Sequence, residues 1–313
     1  MIHKFASVCL AVSLLLAAPQ TVWAASQDVI VDADPGDDID DAFAIALVLR
    51  APELHVLGIT TAFGDTALRA RLVAWMLQQD RRHDIPVSAG PPTAPRTVFT
   101  QARLAQRGPT RPWPDAVAFT LAQLKRHPAG SITLLELAPP SNIAAMIARD
   151  PATFRRLARV VMMGGAIRTG YGGGKPVAEY NMASAPEGMR LLLASGVPVS
   201  VLPLDSTQIA LDEKSRNRIF ATGTGLTDAL ALAYAQWASL NHWGTTPVLF
   251  DVVPVAVMID PDLCPMQTLR IAVTPDGMIH EGAGTPVSVC LSEKQAPILS
   301  LLAARLDQPG KMP

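Results

Sequence analysis

Six aspartates occupy the ten positions from Asp32 to Asp41, namely Asp32, Asp34, Asp37, Asp38, Asp40 and Asp41. They follow the apolar run Val29 to Val31 and precede a helical pattern whose apolar face is Ala42, Ile45, Ala46 and Leu49. A strand, a tight turn at Pro35-Gly36 and an amphipathic helix make the opening of a βα unit, with the charge concentrated at the strand's carboxyl end. Neighbouring carboxylates repel and raise one another's pKa, so a folded cluster persists when a cation or a proton shares it. Asp32 and Asp34 flank a single residue at the end of a strand, where an unpaired charge is expensive to bury.

The same alternation continues along the chain. Val56 to Thr60, Ile132 to Leu135, Arg159 to Met163 and Val197 to Leu202 read as strands, with helices such as Ala67 to Gln79 and Asn142 to Ala148 between them. Strands that are continuously apolar belong to parallel sheets covered on both faces. Leu269 to Val273 and Val287 to Leu291 read as an antiparallel pair joined through Pro275-Asp276-Gly277. With no internal repeat, low-complexity tract or linker, the expectation is a single α/β domain over residues 25–313. It has a mostly parallel, Rossmann-like central sheet flanked by helices and a C-terminal antiparallel pair.

Composition narrows the partner. Among 313 residues, 49% are hydrophobic and 17% charged, with a net charge of −1, so no basic footprint for nucleic acid or an anionic membrane is present. A small molecule is the expected partner. Residues 1–24 read as an export signal: His3 and Lys4, the apolar run Phe5 to Ala18, and Val22-Trp23-Ala24 as cleavage site. That run is short for a bilayer span, and no second apolar segment is long enough to anchor the chain, so the expectation is export, to periplasm or medium, with no membrane attachment after cleavage. Cys264 and Cys290 then remain, and an oxidising compartment allows a disulfide between them without requiring one.

In open parallel sheets ligands bind outside the carboxyl ends of the strands, where the aspartates lie. Asp38 and Asp41 are three apart and Asp37 and Asp41 four apart, so each pair can share a face of the first helical turn. Any one of Asp37, Asp38 and Asp40 can equally cap the helix or face water. For the cluster as a whole a hard cation is the natural partner, and calcium, with about six to eight oxygen ligands, suits it better than zinc. An EF-hand loop counted from Asp32 fails, because its sixth and twelfth positions hold Asp37 and Phe43 rather than Gly and Glu. A haloacid dehalogenase-type start fails too, since Gly36 stands where Thr or Val is usual.

Asp32-Ala33-Asp34-Pro35-Gly36 followed by Asp40-Asp41-Ala42 resembles, with two residues inserted, the D-x-D-P-G-x-D-D-A motif of the inosine-uridine-preferring nucleoside hydrolases. Further stretches match in order. Ile59 to Asp65 is similar to the second-strand motif that usually ends in Gly-Asn, and Leu137-Ala138-Pro139-Pro140-Ser141-Asn142-Ile143 to L-G-P-L-T-N-I/L. Val161 to Gly165 resembles V-x-M-G-G, Ala178 to Asn181 resembles A-E-F-N, and Asp251 opens the helix that carries the last acidic ligand. The resemblance implies an N-ribohydrolase with one calcium that holds a water and the ribose 2′ and 3′ hydroxyls, and a homo-oligomer, since members are commonly dimers or tetramers. It implies Asp34 as metal ligand and general base, with Asp41, Asp251 and the Ser141 carbonyl as further ligands. Asp40 matches the ribose-binding aspartate, while the insertion leaves Asp38 as a competing match and metal-ligand candidate. Glu179, Asn181 and Met163 would line the sugar, with Asp65 in place of the usual Asn.

The match breaks at the leaving group. The histidine that precedes the last acidic ligand in purine- and pyrimidine-cleaving members is Phe250 here, and an expected His-Gly reads Arg107-Gly108. His242 is the candidate substitute, and Trp237 and Trp243 either stack on a base or fill core. Gly164 to Lys175 lacks the P-loop pattern and reads as a loop at the substrate mouth. Three readings follow: a nucleoside hydrolase, an exported nucleoside- or riboside-binding protein without turnover, and a protein in which calcium is purely structural. Paired Asp34 and Asp251, with Glu179 and Asn181 matching the sugar motif, favour the hydrolase.

Overall fold

Strand β1, Gln27–Ala33, is buried from Val29 to its end and pairs in parallel on both sides, with β2, Leu54–Thr61, and with β4, Ile132–Glu136. The computed structural model describes residues 26–242 and 244–307; the expected signal at 1–24 and Trp243 lie outside the described residues. Beyond β2 lies β3, Val87–Ala89, and beyond β4 come β5, Arg159–Met163, and β6, Val199–Leu202, all parallel. With β7, Met266–Val273, β8, Ile279–Glu281, and β9, Thr285–Cys290, the nine-stranded sheet runs β3-β2-β1-β4-β5-β6-β9-β7-β8. The chain works outward from β1 to one edge and then returns to β4, which opens a crevice between the carboxyl ends of β1 and β4.

Alternation of side chains across the sheet accounts for two apolar layers. Val29 and Val31 point into one core with the helices Asp40–Leu49, Thr66–Gln79 and Val252–Ile259, while Ile30 joins Leu134, Val160 and Met162 in the other. Every residue of the Asp40–Leu49 helix is buried. The expected one-sided amphipathic helix is therefore apolar all round beyond its first turn, because it is covered by further helices as well as by the sheet.

The C-terminal antiparallel pair is present as β7, Met266–Val273, and β9, Thr285–Cys290. It is not an appendage, since β9 also pairs in parallel with β6 and so continues the central sheet. A short strand that the sequence did not signal, β8, Ile279–Glu281, follows the Pro275-Asp276-Gly277 turn and closes the edge beside β7. None of the described helices is long and apolar enough to cross a membrane.

Cys264 and Cys290 are joined, with Cα atoms 5.9 Å apart and 26 residues of separation, which ties the entry to β7 to the end of β9. Closing a loop of that length removes about 3 kcal/mol of unfolded-chain entropy. The double variant C264A/C290A is expected to melt roughly 5–10 °C below the parent, and equal melting temperatures would count against a stabilising role.

Candidate active site

Two helix starts converge at the crevice. Asp40 and Asp41 form the first turn of Asp40–Leu49, and Asp251 precedes Val252–Ile259, which packs beside it. Neither helix start is capped by a side chain, so the Asp251 carboxylate is not spent on its own helix. One carboxylate oxygen from each of Asp40, Asp41 and Asp251 lies within 4.8 Å of the others. Asp34, just past β1, donates its backbone N–H to Asp41 Oδ1 at 3.1 Å. None of these four residues is more than 7% exposed, so solvent does little to screen their charges. Burial first, and then the neighbouring aspartates, push Asp40, Asp41 and Asp251 well above the ordinary carboxylate range. Asp34 is pushed up to about 7, mainly by burial; Arg69 opposes this, while Asp37, Asp32 and Glu179 add to it.

Arg69 holds the turn that presents Asp34. Its guanidinium donates to the carbonyls of Asp34 and Pro35 and to both carboxylate oxygens of Asp37, and its Nε donates to the Phe63 carbonyl at 2.8 Å. The Asp34 carboxylate lies 3.8 Å away. Phe99 covers this arrangement, its ring 5.4 Å from the guanidinium carbon. A Cβ on Gly36, which sits at φ 127°, would stand 2.2 Å from that ring, so only glycine admits the lid. Thr100 donates to the carbonyls of Gly36 and Asp37, and Gln101 to that of Asp38 at 2.6 Å, which fastens the inserted residues from the far side.

The expected sugar residues stand at the ends of neighbouring strands. Met163 ends β5, and Asn181 Nδ2 donates to the carbonyls of Leu137 and Met163. Glu179, 2% exposed, accepts from the backbone N–H groups of Gly165, Asn181 and Met182, which offset the upward push of burial on its pKa. Ser141 opens the helix after β4, and its buried hydroxyl has no hydrogen-bond partner. Three other residues are placed differently. Asp38 lies outside the trio and accepts from the Ile39 N–H at 2.7 Å, so Asp40 is the member of the competing pair that meets Asp41 and Asp251. Asp65 caps the Thr66–Gln79 helix, accepting from the Leu68 N–H at 3.0 Å. His242 is exposed just past the Gly225–Leu240 helix, and Trp237 is 4% exposed within the core.

Sequence reasoning passed over Arg69, Glu136 and Tyr171. Arg69 sits in a helix with Arg71, and nothing local distinguishes the buried arginine from the other. Glu136 was hidden at the end of an apolar strand, yet it is fully buried against the Asp32 carboxyl, and burial first, then Asp32, push it well above its ordinary range. Tyr171 lay in the glycine-rich loop as its one aromatic residue, which was a usable signal.

Residues 29–303 match the family described as inosine-uridine preferring nucleoside hydrolase. The pyrimidine-specific ribonucleoside hydrolase RihA of Citrobacter koseri is 30% identical over 275 residues, covering 81% of this chain and 86% of the relative. RihA of Escherichia coli O8 is 29% identical over the same shares. Among solved structures, the plant nucleoside hydrolase PpNRh1 superposes with a TM-score of 0.80 at 24% identity, over 90% of this chain and 99% of that one. A purine-preferring ribonucleoside hydrolase from Gardnerella vaginalis gives 0.75 at 22% identity, over 90% and 98%. The ordered motifs, the doubly wound sheet and these matches lead to one conclusion: this chain belongs to the inosine-uridine preferring nucleoside hydrolase family.

Proposed function

We propose that the protein hydrolyses the N-glycosidic bond of ribonucleosides to ribose and free base, with Asp34 as general base and a calcium ion held by Asp34, Asp41, Asp251 and the Ser141 carbonyl. The observation that carries the reading is the group of buried carboxylates from Asp40, Asp41 and Asp251 beside Asp34, at the switch point of a nucleoside hydrolase fold. The donors are all oxygen and buried, and Arg69 is occupied by the Asp34 and Pro35 carbonyls and by Asp37, so the group fits a hard divalent cation. Calcium there would orient and acidify the attacking water and grip the sugar hydroxyls.

The chain's own residues supply the rest. Asp34 takes the proton of the attacking water. The surrounding carboxylates stabilise the positive charge that develops on the sugar as the glycosidic bond breaks. Glu179 is fixed by three backbone N–H groups and offers its remaining lone pairs to a sugar hydroxyl. Asn181 spends its amide donors on backbone carbonyls, which leaves its own oxygen as an acceptor. Export belongs to the same proposal, supported by the order of features in residues 1–24 and by a disulfide of the kind that persists in oxidising compartments.

Incubated with purine, pyrimidine and nicotinamide ribosides, the mature protein is expected to release ribose with calcium and not with chelator. Asp34→Asn is expected to lower kcat by about 10²–10⁴-fold. Tight riboside binding without turnover would instead establish a receptor, a reading that Phe250, in the usual place of the histidine, keeps in view.

Metal linkage has a definite sign. The folded carboxylates titrate above the unfolded value of 3.8, so the metal-free fold binds more protons than the unfolded chain until pH passes about 7 for Asp34. Stability without calcium is therefore expected to be greatest near pH 4 and to fall as pH rises through 7. Calcium at a hundred times its Kd adds about 2.7 kcal/mol, roughly 5–10 °C. Calorimetry should show a larger calcium effect at pH 7.5 than at pH 5, and no effect at either pH would remove the metal from the proposal.

Fractionation of expressing cells is expected to yield an exported chain that begins at Ala25. A cytoplasmic chain that retains Met1 would overturn the export reading.

A further inference from the structure

The loop after β5 folds into a turn in which Gly170 N–H donates to the Gly174 carbonyl at 2.9 Å. Gln208 clamps it from below: its Oε1 accepts from Gly172 N–H at 2.7 Å, and its Nε2 donates to the Gly170 and Leu204 carbonyls. Gly172 and Gly173 take left-handed backbone, at φ 62° and 78°, and no atom lies within 4 Å of where a Cβ would stand on either, so the turn's outer side is open. This clamp fixes the position of Tyr171.

The Tyr171 ring meets Phe250 edge-on, with centroids 6.2 Å apart and planes at 88°. Phe250 directly precedes Asp251 and carries no side-chain polar atom, so the aromatic corner stands beside the carboxylate group without a donor of its own except the phenol. The Tyr171 hydroxyl accepts from the Tyr180 N–H at 3.1 Å, and its proton has no acceptor among the described residues. With 47% of the residue exposed, the corner is half open to an incoming molecule. Burial, then the carboxylates of Glu179, Asp40 and Asp38, push the phenol above its ordinary range, so it stays neutral and keeps its proton to donate.

We propose that a ribose held between Glu179, Asn181 and Asp40 turns its base toward this corner and that Tyr171 receives the nucleobase, its ring packing against the base and its hydroxyl donating a hydrogen bond to the base atom that gains charge as the glycosidic bond breaks. The inference rests on the ribonucleoside hydrolysis proposed above. In the step, the water oxygen bonds C1′, the C1′–N electron pair passes to the base, Asp34 takes the water's proton, and the base takes its proton from solvent. Tyr171 ends the step with its proton in place.

The test compares a nucleoside cleaved by the parent with 4-nitrophenyl β-D-ribofuranoside, whose leaving group departs as a stabilised phenolate and needs no donor. A hydrogen bond to a charged leaving group corresponds to about 10–100-fold in rate. Tyr171→Phe is expected to lose that much in kcat on the nucleoside and to stay within about 3-fold on the nitrophenyl riboside. Tyr171→Ala should raise the nucleoside KM as well, while inhibition by free ribose is unchanged in both variants. Equal losses on the two substrates, or undiminished nucleoside turnover, would overturn the role of Tyr171. A parent protein that cleaves neither substrate would overturn the hydrolase reading itself, and is thereby distinguishable.

Discussion

Crowding of like charge at the end of β1 is the constraint on which the rest of the molecule depends. Asp34, Asp40, Asp41 and Asp251 are buried together, and four ionised carboxylates that close do not coexist in a low-dielectric site without a counter-charge. Part of that counter-charge is built in as Arg69, which neutralises Asp37 and leans on Asp34. Breaking a buried pair of this kind costs about 3–5 kcal/mol, so Arg69 belongs to the fold as much as to the site. It makes no hydrogen bond to Asp40, Asp41 or Asp251 and only partly offsets the upward push on Asp41, so all three carboxylates stay well above their ordinary range and the group can still take a cation.

Holding repelling groups in place requires a stiff support. The Asp40–Leu49 helix supplies it because its entire surface is buried, so its first turn has no freedom to splay. The helix N-terminus carries partial positive charge, which favours Asp40 and Asp41 where they sit. Asp251 comes from a second apolar helix packed against the first, so the spacing of the trio is set by close packing of Ala and Val side chains rather than by a loop.

Much of this was legible along the chain. Continuous apolar runs identified five parallel strands because burial on both faces removes the alternation that a half-exposed strand shows. The aspartate turn was legible because all its members but Asp251 are local in sequence. What escaped depends on long-range pairing. Arg69 reaches its partners 32 and 35 residues back, and the Thr100 and Gln101 contacts to the same turn span 63, with no periodic pattern to announce them. Strand β3 is three residues long, too short to show a period, and the parallel partnership of β9 with β6 is a property of topology. The inserted residues left Asp38 and Asp40 equivalent on paper; only the burial of the helix start separates them, directing Asp40 inward and leaving Asp38 to the Ile39 N–H and the Trp237 side chain.

Behind the trio lies a second acidic layer that makes sense only together with the first. Asp32 accepts from Thr60 and Asn142, and these hydrogen bonds partly offset the burial that lifts it to about 6. Glu136, in register with it on β4, has no donor from Thr or Asn, and burial, then the charge of Asp32 and the hydrogen bond between the two carboxyls, push it well above its ordinary range. One carboxyl of the pair is thus equipped to carry charge and its neighbour is not. Asn142, in donating to both Asp32 and the Thr61 carbonyl, fastens β1, β2 and the helix begun by Ser141 to one another. The strand ends that present Asp34 and Ser141 are consequently locked by a polar network placed directly beneath them, and a cation bound above would meet a floor already negative and already rigid.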